Sequence, residues 1–217
     1  VRQITEAQRE LLDLSSWTLA FNGAEPVRAA TIERFSDRFR DRGFRKEAFY
    51  PCYGLAEATL LVSGGTRGAG PLVQPFERSR LRSEPMASAS GSASHLLVSC
   101  GVDRSGRQIR IVHPDSGIAC ADGQEGEIWV GGPCVAQGYW QREAESRETF
   151  QASLAGTGEG PFLRTGDLGF LKDGELFVTG RLKDLIIIRG RNHYPHDIER
   201  TVEECHPALR PGAGAAF

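Results

Sequence analysis

The sequence predicts an α/β chain in three consecutive parts: a parallel α/β unit, an antiparallel β-barrel or sandwich-like subdomain, and the start of a small α+β unit. Three observations carry that expectation. Between Trp17 and Tyr53 a strand pattern, an amphipathic helix pattern and a second strand pattern follow one another. Between His95 and Thr179, short alternating runs are separated by Asp-Gly and Ser-Gly turns. The run GRLKDLIIIRGRNHYPHDIE, Gly180 to Glu199, then passes from a β-branched apolar stretch to a helix opened by proline.

Each element follows from its residues. Trp17 to Phe21 reads as a strand, Pro26 to about Arg42 as a helix with Ile32, Phe35 and Phe39 on one face, and Ala48 to Tyr53 as a second strand running into the loop YGLAE. In such a unit ligands gather at the carboxyl ends of the strands. From Gly64 to Gly91 the texture changes to Gly, Pro, Arg and Ser and ends in ASASGSAS, Ala87 to Ser94; an excursion of that length is functional or disordered. The runs His95 to Cys100, Arg107 to His113, Glu127 to Gly131, Phe162 to Leu163 and Glu175 to Thr179 supply the antiparallel strands. Arg181 to Asp184 forms a charged junction, where a hinge would sit. Leu185 to Ile188 suits a buried strand, broken by Gly190 and Asn192, and Pro195 opens a helix whose Ile198, Val202 and Cys205 share a face. No internal repeat is visible. The expected divisions are therefore residues 1–94, with an excursion at about 67–93, then 95–181, then 182–217.

Composition narrows the function classes. With 217 residues, 40% hydrophobic and 25% charged, the chain is an ordinary globular protein, and a formal charge of -2 gives no footprint for nucleic acid. The basic stretch RDRGFRK, Arg40 to Lys46, alternates with acids and reads as a solvated helix face. No stretch approaches the roughly 20 apolar residues of a membrane span, and no signal-peptide pattern opens the chain, so a cytoplasmic location is expected. The five cysteines lack any C-x-x-C spacing and read as packed thiols. His193 and His196 are separated by Pro195, which denies them the continuous helix a shared metal would need.

The order of RTGD (Arg164 to Asp167) and the Gly180 to Glu199 run resembles the adenylate-forming superfamily of acyl-CoA synthetases, luciferases and peptide-synthetase adenylation domains. GEIWVGGPCVAQGYW (Gly126 to Trp140) and YGLAE (Tyr53 to Glu57) extend the resemblance. NGAEPV (Asn22 to Val27), YGLAEATLLVSGG (Tyr53 to Gly65) and RGRNHYPHDIE (Arg189 to Glu199) are similar to the fatty acyl-AMP ligase branch. Members of that branch activate a fatty acid with ATP as its adenylate and pass it to the phosphopantetheine thiol of an acyl carrier protein. The resemblance therefore implies part of the large adenylate-forming domain followed by the start of the lid. Rival readings are a fatty acyl-CoA ligase and a non-catalytic binding or scaffold fragment that keeps the fold.

The resemblance also assigns residues. Asp167 would grip the ribose, because one carboxylate can accept from two hydroxyls, although TGD also reads as a turn. Arg181 would be the second ribose and phosphate contact, a task suited to an always charged, forked guanidinium. Tyr53 would offer a face to adenine, with Gly54 beside it, and Glu57 a hard oxygen to the Mg²⁺ of the nucleotide. Asn22, Gly23 and Ala24 stand at a strand end where backbone and amide can read the adenine edge, though Asn-Gly is equally a turn. Lys183 would be the hinge of the lid. Gly126 to Trp140 is expected to be structural. Ala56 stands where the wider superfamily has threonine, a change the acyl-AMP ligase branch shares. The excursion, about Arg67 to Ala93, resembles the extra segment of that branch, and the resemblance implies that it restrains the lid and disfavours the pose that accepts coenzyme A, with Leu72, Val73 and Phe76 as anchors and Arg78, Arg80 and Arg82 facing acids of the lid. The family's phosphate loop and lid lysine find no counterpart among Lys46, Lys172 and Lys183 or in any Ser/Thr/Gly/Lys-rich stretch. A first residue Val and an apparent unpaired strand opening at Pro211 to Phe217 fit an internal fragment.

Overall fold

The computed structural model describes residues 4–77, 94–103, 106, 108–189, 191–210 and 212–217. A short helix α1 (Glu6–Glu10), closed at Thr5 by a capping box with Gln8, leads to strand β1 (Ala20–Asn22). Helix α2 (Ala29–Phe39) follows, then strands β2 (Phe49–Tyr53) and β3 (Ser63–Gly64). The β1 and β2 strands are parallel, Ala20 opposite Phe49, and β3 adds an antiparallel edge. This is the expected strand, helix, strand unit, with shorter elements. The stretch Trp17 to Leu19 is not strand, because the Trp17 indole folds back to donate to the Leu19 carbonyl at 2.8 Å. The helix opens at Ala29 rather than Pro26, since Arg28 is still extended at φ -101° and ψ 125°.

Packing follows the helical period. Ala29, Ile32, Ser36 and Phe39 line the buried side of α2 against Phe44 and Phe49, and Phe35 meets Phe39, Phe44 and Phe49 with ring centroids 4.7 to 5.6 Å apart. Burying each such ring stabilises the fold by roughly 1.5–3 kcal/mol.

Next come strands β4 (Val73–Glu77) and β5 (Ser94–Val98), a two-stranded antiparallel ribbon. The main antiparallel sheet has the order β6 (Gln108–Val112), β7 (Gly126–Gly131), β8 (Leu163–Lys172), β9 (Glu175–Arg181), with helix α3 (Glu143–Phe150) between β7 and β8. Phe76 of the ribbon is fully buried against Phe170 and Phe177, with centroids 5.0 Å away, and so fixes the ribbon to the sheet. Of the expected anchors Phe76 holds that position and Val73 packs against the core under α2, whereas Leu72 is 40% exposed; Arg78, Arg80, Arg82 and most of ASASGSAS lie outside the described residues.

Strand β8 is far longer than the two residues expected, because RTGD runs inside it instead of forming a turn. Its hairpin to β9 turns at Asp173-Gly174, both at positive φ (52° and 81°) as a tight two-residue hairpin requires. The pairing shifts register between Leu168 and Gly169, which leaves Thr179 as the extra residue of a bulge and sets Asp167 directly opposite Arg181.

The chain closes with strands β10 (Ile186–Ile188) and β11 (Arg191–His193), an antiparallel hairpin, and helix α4 (Pro195–Cys205), which has Pro195 in its first turn. Two expectations fail here. The apolar run is not buried, since Ile187 and Ile188 are 65% and 51% exposed, and Asn192 sits in a returning strand instead of breaking one. The β-branched residues serve hairpin pairing, and among the described residues no layer covers their outer face. Likewise Val202 of α4 is exposed, and residues 212–217 form no strand.

Candidate functional site

A cavity of about 370 Å³ opens where the loop after β1, the end of β2, the β8–β9 pair and the start of α4 converge. Asp167 lies on its wall, 9% exposed, and is held from two sides. The Tyr53 hydroxyl donates to Oδ2 at 2.7 Å and the Arg181 Nε–H donates to Oδ1 at 3.0 Å. Its own N–H donates to the Thr165 hydroxyl at 3.1 Å, and that hydroxyl donates to the Ile128 carbonyl at 2.7 Å. Each residue of RTGD is therefore committed. Arg164 donates to buried Glu127 at 2.9 Å, while the Gly166 N–H reaches the other oxygen of Glu127 at 3.1 Å; the indole of Trp129 also donates to Glu127. Buried polar groups without partners are costly, so this network holds the Asp167 carboxylate in one place.

The electrostatics of the wall follow from burial. Burial first, and then the Asp167 charge, push the Tyr53 phenol far above its ordinary value, so it stays a neutral donor. Burial pushes the Cys100 thiol up to about 12, with a further contribution from Cys52, and burial also raises Cys52. These two wall thiols are protonated and inert. Arg181 is different: its side chain is 70% exposed, so its pairing with Asp167 is worth little by itself and leaves the guanidinium open to a second anion.

The expected residues divide into two groups. Ala24, Tyr53, Gly54, Asp167 and Arg181 all line the cavity, joined by Pro195 and His196 from α4. Asn22, Gly23, Glu57 and Lys183 do not. Asn22 ends β1, and a Cβ on Gly23 would stand 2.7 Å from the Cys52 carbonyl oxygen, so that residue packs backbone on backbone. Ala24 beside it adopts φ 69°, a left-handed conformation unusual for alanine. Tyr53 is simultaneously a core residue and a wall residue, packing with Ile109, Ile128 and Val130. Its ring is 8% exposed. Lys183 is exposed in the tight turn Leu182–Asp184, between the β9 strand and the β10–β11 hairpin, and its neighbour Asp184 reaches the cavity.

Glu57 is half-buried in the turn Ala56–Ala58; one of its oxygens accepts the Tyr139 hydroxyl at 2.8 Å and the other accepts no hydrogen bond among the described residues. Among the described residues no group of three His, Cys, Asp or Glu makes a ready cage. A single carboxylate with a free oxygen is nevertheless the donor set Mg²⁺ uses when substrate phosphates and water complete its octahedron.

Sequence reasoning missed Glu125 and Tyr194. Glu125 is 2% exposed, and its Oε1 accepts from the Tyr194 hydroxyl at 2.6 Å and from the Thr179 hydroxyl. A Cβ on Gly180 would come within 2.7 Å of the Tyr194 ring, so that glycine makes the groove in which the ring lies. Tyr194 thus fastens the final segment to the antiparallel sheet at the edge of the cavity. The signal was present, since Tyr194 precedes a helix opened by Pro195, but a tyrosine in a polar run shows no periodicity.

An α/β unit joined to an antiparallel sheet, with a cavity between them, is a fold shared with solved adenylate-forming ligases. The solved structure of the fatty acyl-adenylate ligase from L. pneumophila, in complex with acyl adenylate and pyrophosphate, superposes with a TM-score of 0.79 at 49% identity over 93% of this chain and 35% of that one. Residues 1–140 match the family described as AMP-binding enzyme, and the chain belongs to that family. The medium-chain fatty acid–acyl carrier protein ligase JamA of Moorena producens is 53% identical over all of this chain and 37% of its own length. The corresponding ligase TtuA of Teredinibacter turnerae is 44% identical over all of this chain and 35% of its own length. The chain thus spans little more than a third of the relatives it matches. Among the described residues no helix is long and apolar enough to cross a membrane.

Proposed function

We propose that the protein to which this chain belongs is a fatty acyl-AMP ligase. It joins a fatty acid to ATP to give acyl-AMP and pyrophosphate, then transfers the acyl group to the phosphopantetheine thiol of an acyl carrier protein. The observation that carries this reading is Asp167, held by Tyr53 and Arg181 on the wall of a cavity where one carboxylate can accept both ribose hydroxyls. Arg181 supplies the charge for the phosphate, Tyr53, Gly54 and Ala24 frame the adenine with the strand end Asn22 and Gly23 setting Ala24 in place behind the wall, and Glu57 presents an oxygen to Mg²⁺. Such a site works by positioning and charge neutralisation, since in-line attack at phosphorus needs little covalent help from the protein. Residues 1–94 and 95–181 are the two subdomains flanking the nucleotide, and residues 182–217 begin the lid, which turns at Lys183.

The named functions of JamA and TtuA support the acyl carrier protein as acceptor. Hydroxamate trapping on the whole protein, with ATP and fatty acids of increasing length, tests the first half-reaction. The proposal requires acyl-hydroxamate that depends on both ATP and fatty acid. Pyrophosphate release with no fatty-acid dependence would refute it.

A further inference from the structure

The loop that carries Glu57 is strained and clasped by a second segment. It folds back so tightly that a Cβ on Gly54 would stand 1.5 Å from the Leu60 carbonyl oxygen, and Thr59 and Leu60 take positive φ of 55° and 74°. Non-glycine residues keep such conformations only where their surroundings over-determine them. Here the surroundings are residues 134–139. The Ala136 N–H donates to the Glu57 carbonyl at 2.8 Å, the Thr59 hydroxyl donates to the Cys134 carbonyl at 2.6 Å, and the Tyr139 hydroxyl donates to Glu57 Oε1 at 2.8 Å. Tyr139 is itself fixed from the other side by α3. Its N–H donates to the Ser146 hydroxyl at 2.8 Å, and its ring meets Phe150 edge to face with centroids 5.0 Å apart.

We propose that Tyr139 is a positioning residue: its hydroxyl holds one oxygen of Glu57 so that the other is presented in a fixed direction to the divalent cation that accompanies the nucleotide. This rests on the assignment of Glu57 made above. A long carboxylate on a half-exposed turn samples several rotamers, and a donor fixed by packing on its far side removes that freedom before the cation arrives. Helix α3 thereby gains a task in the chemistry: through Ser146 and Phe150 it sets the position of Tyr139, and through Tyr139 that of Glu57.

A mere staple between two loops would affect stability alone, so the test reads the metal. In the whole protein, the affinity of a fluorescent ATP analogue is measured with saturating Mg²⁺ and with EDTA, and the ratio is the metal-dependent gain. Tyr139→Phe keeps the ring against Phe150 and loses one oxygen; the thermal midpoint verifies that the fold is retained. The variant should lower the gain about tenfold, the scale of one hydrogen bond to a charged group, while the affinity in EDTA stays unchanged. Glu57→Gln should abolish the gain, and adding Tyr139→Phe to it should change nothing further. If Glu57→Gln loses the gain and Tyr139→Phe keeps it, Tyr139 is a staple and the inference is overturned while the proposed function stands. If both variants keep the gain, the assignment of Glu57 falls and the inference with it.

Discussion

Asp167→Ala separates two roles the carboxylate would play at once, one in the fold and one in holding nucleotide. In the fold, its removal strands the buried Tyr53 hydroxyl, which costs roughly 1–3 kcal/mol, whereas the lost pairing with the largely exposed Arg181 adds only about 0–1 kcal/mol. A domain with the usual stability of about 5–15 kcal/mol survives that loss. In the complex, hydrogen bonds from ribose hydroxyls to a charged carboxylate are worth roughly 1.5–3 kcal/mol each, so losing one or two weakens ATP binding from about tenfold to several hundredfold or more. The assay is the ATP dependence of pyrophosphate exchange in the whole protein, with direct binding of a fluorescent ATP analogue beside it. Tyr53→Phe is the control, because it removes the bond to Asp167 but leaves the carboxylate in place. Its ATP dependence should move far less than that of Asp167→Ala. An Asp167→Ala protein that folds and keeps the wild-type ATP dependence would refute the ribose role.

Three further outcomes are expected. Because burial raises the Tyr53 phenol above its ordinary 10, the stability its retained proton supplies is complete below that pH and is lost as pH rises beyond it, where the unfolded chain releases a proton the folded chain keeps. The denaturant midpoint should therefore fall above about pH 10, less steeply in Tyr53→Phe; equal slopes would contradict the assignment. Tyr194→Phe leaves buried Glu125 with one hydroxyl donor fewer, when its Oε2 already lacks a partner among the described residues, and should destabilise by about 1–3 kcal/mol on denaturant unfolding; an unchanged midpoint would show that the bond contributes nothing. Glu77 and Ser94 are directly opposite in the ribbon, so replacing residues 78–93 by Asn-Gly should preserve both the ribbon and acyl-AMP formation while raising acyl-CoA formation, measured by thioester chromatography. A folded, adenylating variant with no gain with coenzyme A would show that this segment is not the gate.

Much of the fold was legible because its signals are local. The parallel pair β1 and β2, the buried stripe of α2 and the proline opening of α4 follow from periodicity and capping, and the structure shifts their ends by a few residues. RTGD has the composition of a turn but lies in a strand, its turn-like residues accommodated by Gly166 at φ 71° and by bonds to Glu127, and its Asp167 lines the cavity. The fourteen-residue separation of Asp167 and Arg181 acquires a physical meaning once the hairpin and its bulge set the two opposite each other, which spacing alone does not reveal. Helices α1 and α3 went unseen. Most of their residues are charged or polar, and few face the core, so neither shows an apolar stripe. The burial expected of Leu185 to Ile188 failed because apolar composition records what a strand can cover, not whether a described neighbour covers it. Tyr139, Glu125 and Tyr194 leave little local signal for a common reason: the side chain of each acts through hydrogen bonds to partners 54 or more residues away in sequence.

The acceptor of the acyl group tests the account most directly. The whole protein, given ATP, Mg²⁺ and a fatty acid it adenylates, is offered equimolar coenzyme A and an acyl carrier protein bearing its phosphopantetheine arm, and the two thioesters are quantified by mass spectrometry. The account predicts acylated carrier protein with coenzyme A left essentially unacylated, and loss of that product in Asp167→Ala at limiting ATP. Acyl-CoA formed at a rate matching or exceeding that of the acylated carrier protein would contradict it.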